Sequence, residues 1–238
     1  MNIRYFLLNS FLLPGRFEEV CPARDFDFIT PQAFGRNTYP DDSFLLRLRN
    51  QLRAVTNRKR IISVYRVGAL RDSVGSDMDA FKRLDALDFN PGCPNEILAE
   101  ICLNLTMPKQ APIIGEWRAM YAIWKSFPMW YCLNQYRLVA IWPPRKGYLA
   151  TRGMLLEVDR IAKERGLTKP CLVAHPEHMP RAYFLARKIF GKPVAMMTDV
   201  MSNEWFDRDS VQWCTRGRWR WLAYEMLARA HHRWFGWF

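Results

Sequence analysis

Lys169-Pro170-Cys171-Leu172-Val173-Ala174-His175-Pro176-Glu177-His178-Met179-Pro180-Arg181-Ala182 is the stretch that decides the fold. Its apolar run, Cys171 to Ala174, stops abruptly in polar residues and two prolines, and a helix-forming run begins at Pro180. The pattern predicts a buried strand, a tight loop and a helix. In an open α/β sheet, ligands bind outside the carboxyl ends of the strands. His178 and Arg181 therefore fall where such a fold binds its ligand.

The same alternation extends outward in both directions. Upstream, Thr151 to Arg165 reads as a helix with Leu155, Val158, Ile161 and Ala162 along one side, ended by Gly166. Before it, Leu138 to Trp142 is a strand stopped by Pro143-Pro144, and Arg145 to Ala150 is a polar loop. Glu116 to Phe127 is an apolar helix ended by Pro128, preceded by a short strand at Pro112 to Gly115. Pro94 or Asn95 opens a helix that aligns Ile97, Leu98, Ile101, Cys102 and Leu105. Asp77 to Leu87 reads as a weaker helix, and Ile61 to Val67 as a strand. Asp41 or Asp42 caps a helix carrying Phe44, Leu45, Leu48 and Leu52. Phe26 to Thr30 is the first strand, with Pro31 to Asn37 as its loop, and residues 1–24 form an N-terminal arm. Downstream, the helix from Pro180 buries Tyr183, Phe184, Ala186, Ile189 and Phe190. Val194 to Met197 is the last strand, and Arg218 to Trp234 a terminal helix. Strands alternating with helices of about a dozen residues define the α/β class, with a parallel sheet covered by helices on both faces. No repeat or low-complexity tract divides residues 25–238, which read as a single domain.

Half of the 238 residues are hydrophobic, enough for a sizeable core, and the formal net charge is +12. That charge favours anionic partners: phosphate-bearing ligands, nucleic acid or an acidic membrane face. The six cysteines contain no Cys-x-x-Cys pair, so they read as reduced thiols rather than a zinc site or a disulfide framework. Tyr5 to Leu13 is too short to span a bilayer, and Met120 to Leu133 is interrupted by Lys125 and Pro128. These readings predict a cytoplasmic protein without a transmembrane helix. Nothing in the sequence fixes its oligomeric state.

His178 and Arg181 lie three residues apart at a helix start, where free backbone N–H groups favour phosphate or carboxylate. Arg181 grips such a group with its guanidinium fork, and His178 is the acid/base candidate. These two are the expected catalytic pair. His175 and Glu177 lie close by, but Pro176 blocks helical pairing of the two histidines, and no metal site is expected. Thr151 and Arg152 open a helix at the same rim, and Gly35, Arg36 and Asn37 follow the first strand. Glu116 is the carboxylate placed directly between a strand and a helix. With His175, these six residues are the expected lining of the ligand site. The chain has no G-x-G-x-x-G, Walker or G-x-S-x-G motif, so dinucleotide, P-loop and hydrolase-elbow chemistry are disfavoured and no cofactor follows.

From Arg216 to Phe238, basic and aromatic residues alternate. Such a helix can lie on an anionic membrane or stack on single-stranded nucleic acid. Alternatively it packs Trp221, Leu222, Met226 and Leu227 on the body and leaves its arginines in water. The second arrangement fits the spacing and the position of Glu225, and nucleic-acid binding is not expected. A peripheral, non-catalytic role on a membrane or partner is the alternative function.

The focal stretch and this C-terminus together resemble the YdcF/SanA/ElyC family of bacterial proteins, whose biochemical function is unassigned. The resemblance rests on an apolar strand followed by His178-x-x-Arg181-Ala182 and a helix, then on Trp213, Tyr224-Glu225 and Gly236-Trp237, with Thr151-Arg152 at the middle helix start. It covers residues 138–238. Departures are Ala174-His175 in place of a hydroxyl pair, Gly153-Met154 in place of Glu and Asn, the single Gly35, and Tyr65-Arg66 in place of two glycines. The resemblance implies a Rossmann-like three-layer fold, a basic rim pocket for a small phosphate-bearing or nucleotide-like ligand, and an association with cell-envelope processes.

Overall fold

The computed structural model describes residues 26–35, 75–86, 89–143, 150–191, 194–197, 206–208, 210, 213–234 and 236. The elements expected at 1–24, 41–52 and 61–67 lie outside these residues.

Among the described residues, five strands form one sheet: β1 (Phe28–Gln32), β2 (Ile113–Glu116), β3 (Leu138–Ile141), β4 (Pro170–Ala174) and β5 (Ala195–Met197). Their order is β3-β2-β1-β4-β5, and every pairing is parallel. The helices are α1 (Asp77–Asp85), α2 (Cys93–Lys109), α3 (Trp117–Ser126), α4 (Pro128–Asn134), α5 (Thr151–Glu164), α6 (Met179–Phe190) and α7 (Arg218–Trp234).

Strand alternation sends neighbouring side chains to opposite faces. Ile29, Ile113, Ala140, Cys171 and Val173 pack under α1 to α4. Phe28, Ile114, Ile141, Leu172 and Ala174 pack under α5 and α6. The result is the three-layer, Rossmann-like α/β architecture. Because both faces are covered, the strands read as continuous apolar runs rather than alternating ones. Burial pushes the Cys171 thiol up to about 12 and the Cys102 thiol well above its ordinary value, so both behave as inert core residues. Asp27 fastens the amino ends of β1 and β4 by accepting from Thr168 N, Thr168 Oγ1 and Lys169 N at 2.9–3.0 Å.

β1 departs from the sequence reading. Pro31 and Gln32 belong to the strand, although proline is normally excluded from a central one. The ladder explains the exception. β1 pairs with β4 along its whole length, from Phe28 with Pro170 to Gln32 with Ala174, but with β2 only at Ile29 and Ile113. Ile29 N donates toward β2, to Pro112 O at 2.9 Å. Two residues on, Pro31 has no N–H to repeat that bond, so only the β2 side of the ladder is lost. Gly115 makes room for the ring. A Cβ there would stand 2.5 Å from Pro31 Cγ and Cδ.

Pro128 stops α3 as expected and has a second role. It occupies the first turn of α4, where a missing N–H costs nothing.

Candidate active rim at the β1/β4 crossover

With the order β3-β2-β1-β4-β5, the chain turns one way from β1 and the other way from β4. The crevice outside their carboxyl ends is the topological switch point of the sheet. The buried polar and charged residues concentrate there: Glu116, Arg118, His175, Glu177, His178, Arg181, Asp207, Ser210, Thr215, Glu225 and Arg229 are all at most 8% exposed. Charge is costly to bury and must be paired, and these pairings define the site.

The loop after β1 is held from two sides. The Asn95 side chain accepts from Phe34 N at 2.9 Å and donates to Phe34 O and Pro91 O. Gly35 follows at φ +85°, a conformation that excludes most other residues. Its carbonyl accepts from Arg118 Nη1 at 2.9 Å. Arg118 is itself paired with Glu116 through Nε at 2.6 Å and through Nη2. Glu116 is the last residue of β2 and the N-cap of α3, so the strand turns into the helix with no intervening loop. Glu116 is thus committed to a pairing that braces the Gly35 loop.

After β4 the chain makes one tight turn, in which His178 N and Met179 N both donate to His175 O. His175 is fully buried, stacked on Phe34 with ring centroids 4.0 Å apart, and its Nδ1 accepts from Glu177 N at 3.2 Å. It is a packing residue inside the rim. His178 presents Nδ1 to Arg181 Nη2 at 3.2 Å. Arginine can only donate, so the His178 proton resides on Nε2. Trp221 lies edge-on to His178, at 5.5 Å between centroids.

The sequence reading gave Arg181 an external anion. The structure supplies an internal one. Arg181 Nε donates to Glu225 Oε2 at 2.9 Å, and Arg229 Nε donates to Glu225 Oε1 at 3.0 Å. All three side chains are under 9% exposed. Trp221 Nε1 donates to Glu177 O at 3.0 Å. Thus α7 is seated over the crevice by Trp221, Glu225 and Arg229, one helical turn apart each. Phe34, Cys214 and Trp221 form a small apolar cluster beneath it. The expected packing of Met226 and Leu227 on the body is corrected, since these residues are 53% and 69% exposed. A buried triad of alternating charge outweighs the apolar pair in fixing which face turns inward.

Of the other expected site residues, Thr151 and Arg152 open α5. Thr151 is the first residue of α5, with Ala150 rather than Thr151 as N-cap. That first turn lies over the end of β1, where Gln32 Nε2 contacts Met154 Sδ at 3.7 Å. Thr151 is half-buried and Arg152 is exposed. Arg36 and Asn37 lie outside the described residues. Among the described residues, no three His, Cys, Asp or Glu side chains converge as a metal set.

An open cleft of about 390 Å³ adjoins the crevice, lined by Arg208, Arg216, Gly217, Arg218, Trp219 and Arg220. Arg218 reaches inward to Glu177 Oε1 at 2.9 Å, joining the cleft to the loop after β4. Arg216, Arg218 and Arg220 belong to the basic-aromatic run read from the sequence, but spacing alone did not single out Arg208, Arg118 or the inward role of Glu225. The visible signals were a lone arginine in the apolar run of α3 and a lone carboxylate in the basic α7.

Burial pushes the Glu177 carboxyl above its ordinary value, and Arg218 draws it only part of the way back. A carboxyl with a raised folded-state value holds its proton more tightly in the native state. Its contribution to stability is complete below about pH 4.5 and is lost as pH rises through the folded value. Wild type should therefore lose stability relative to Glu177→Gln as pH rises from about 4.5 through the raised folded-state value. Urea midpoints of the two proteins measured across that range check this, and a constant gap would contradict it.

No protein-family model matches the chain, and neither does any curated protein or solved structure.

Proposed function

We propose that this protein binds a small phosphate-bearing ligand at the carboxyl rim of its sheet, in the arginine cleft beside the β1/β4 crossover. The observation that carries the reading is the lining of that cleft by four arginines. Arg208 and Arg220 have no ion-pair partner among the described residues, so they bring uncompensated charge to a concave surface beside Trp219. Guanidinium forks suit phosphate oxygens, and an indole face suits a base or sugar ring. Glu177, paired with Arg218, joins the cleft to the loop after β4. The resemblance to the YdcF/SanA/ElyC family supports the choice of rim, and with it the proposal extends to an envelope-linked ligand. Relative to the sequence expectation, anion binding moves from Arg181 to the cleft, because Glu225 occupies Arg181.

The test is thermal denaturation with inorganic phosphate, nucleoside diphosphates and sugar nucleotides, on wild type and on Arg208→Ala/Arg220→Ala. Both arginines are exposed, so the variant should fold like wild type. At about a hundredfold excess over Kd, a ligand stabilises by about 2.7 kcal/mol, a shift of several degrees. The expected result is a shift in wild type that the double variant loses. An equal shift in both proteins would reject the cleft.

A further inference from the structure

α7 is amphipathic in the reverse sense: its inward face carries Glu225 and Arg229, and its outward face is apolar. Trp219, Ala223, Leu227, Ala230 and Trp234 recur at i, i+4, i+8, i+11 and i+15, which aligns them along one side of the helix. Trp219 is 83% exposed, Leu227 69% and Trp234 87%, with Met226 beside them. The stripe is roughly 22 Å long at 1.5 Å per residue, with a tryptophan at each end. Its flanks are Arg220 and Arg233, both exposed. The sole carboxylate of α7 is Glu225, which is buried between Arg181 and Arg229. The outer surface of the helix is therefore apolar and basic, with no acidic group.

We infer that the outer face of α7 docks this protein on an anionic lipid surface. Tryptophans partition to the boundary between headgroups and acyl chains, and exposed arginines pair with lipid phosphates. Among the described residues no helix is long and apolar enough to cross a membrane, so α7 lies in the interface plane. Charge argues against the other occupants. A second copy laid on this face brings Arg220 and Arg233 against like charges. Tryptophans roughly 22 Å apart cannot stack on successive bases, as single-strand binding requires. α7 keeps its inner contacts while docked, because Trp219, Leu227 and Trp234 take no part in them. The inference rests on this exposed stripe, which shares Trp219 and Arg220 with the arginine cleft, while Leu227, Arg233 and Trp234 lie outside the cleft lining.

The full chain is sedimented with phosphatidylcholine vesicles, with and without phosphatidylglycerol. Wild type should bind only the anionic vesicles, and less as salt rises. Trp219→Ser/Leu227→Ser/Trp234→Ser, with an unchanged thermal midpoint in the absence of lipid, should bind about tenfold more weakly or not at all. Arg233→Gln should weaken binding while leaving any phosphate-induced thermal shift intact. Arg208→Ala should do the opposite, so the two readings can fail separately. The inference is overturned if wild type ignores anionic vesicles, or if the triple variant binds as wild type does. It is equally overturned if wild type is a dimer that the triple variant converts to monomer, since the stripe is then a self-interface.

Discussion

Arg181→Ala should lose about 3–5 kcal/mol of stability, a large share of the roughly 5–15 kcal/mol that holds a domain folded. The substitution leaves Glu225 buried at a surface built to hold it between two guanidinium groups, with Arg229 its one remaining partner in the triad. It also removes the donor on His178 Nδ1. An unpaired or half-paired buried charge costs far more than the intact pairing contributes, because desolvation is no longer offset. Replacing the whole triad, with Arg181→Met, Glu225→Leu and Arg229→Met, should recover most of the loss, since all the buried charges leave together. Urea denaturation of wild type, single and triple variants measures both effects. An Arg181→Ala protein within about 1 kcal/mol of wild type would mean that Arg181 is free to meet a ligand. The arginine cleft would then not be the sole anion site.

Gly115→Ala should cost about 1–3 kcal/mol or more, although it adds a single methyl group. The new carbon meets two ring atoms of Pro31 at 2.5 Å and the Pro31 carbonyl at 3.0 Å, in the middle of a five-stranded sheet. Neither strand can withdraw, because β1 is locked to β4 and β2 to β3 along their lengths. Pro31→Ala removes the ring, so the same glycine substitution should cost less in that background. A double-mutant cycle by urea denaturation should show coupling above about 1 kcal/mol. Additive costs would mean that the ring is not what Gly115 accommodates.

The layers of this fold were legible because they rest on local chemistry. Leu172-Val173-Ala174 and Ile113-Ile114 are apolar on both faces, as strands under two helix layers must be, and Gly166 marks the end of a helix. The crossover site was legible to the same extent: strand, turn and helix place His178 and Arg181 at the carboxyl rim without any knowledge of their partners. What fills the rim was not legible. Arg118 braces Gly35 across 83 residues, and Arg181 finds Glu225 across 44. Pairings at such distances leave no periodicity in the chain. The orientation of α7 was misread for a related reason. Residue type placed Met226 and Leu227 inward, but two charges in register with Arg181, Glu225 and Arg229, turned the helix the other way. Pro31 was read as the end of a strand because the rule against proline assumes two intact ladders, and here one had already parted.

The seating of α7 also sets an order of events during synthesis. Residues around β4 and the start of α6 emerge before the partner that completes them. At roughly 5–20 residues per second, the 44 residues from Arg181 to Glu225 take about 2–9 s to make. During that interval Arg181 has no carboxylate from α7, and Phe34 has no Trp221 above it. The sheet can assemble, but its crevice stays unsealed until α7 is made. A nascent chain stalled short of α7 therefore leaves Arg181 and Phe34 uncovered, a charged, wettable hole that the folded molecule closes with Trp221 and Glu225.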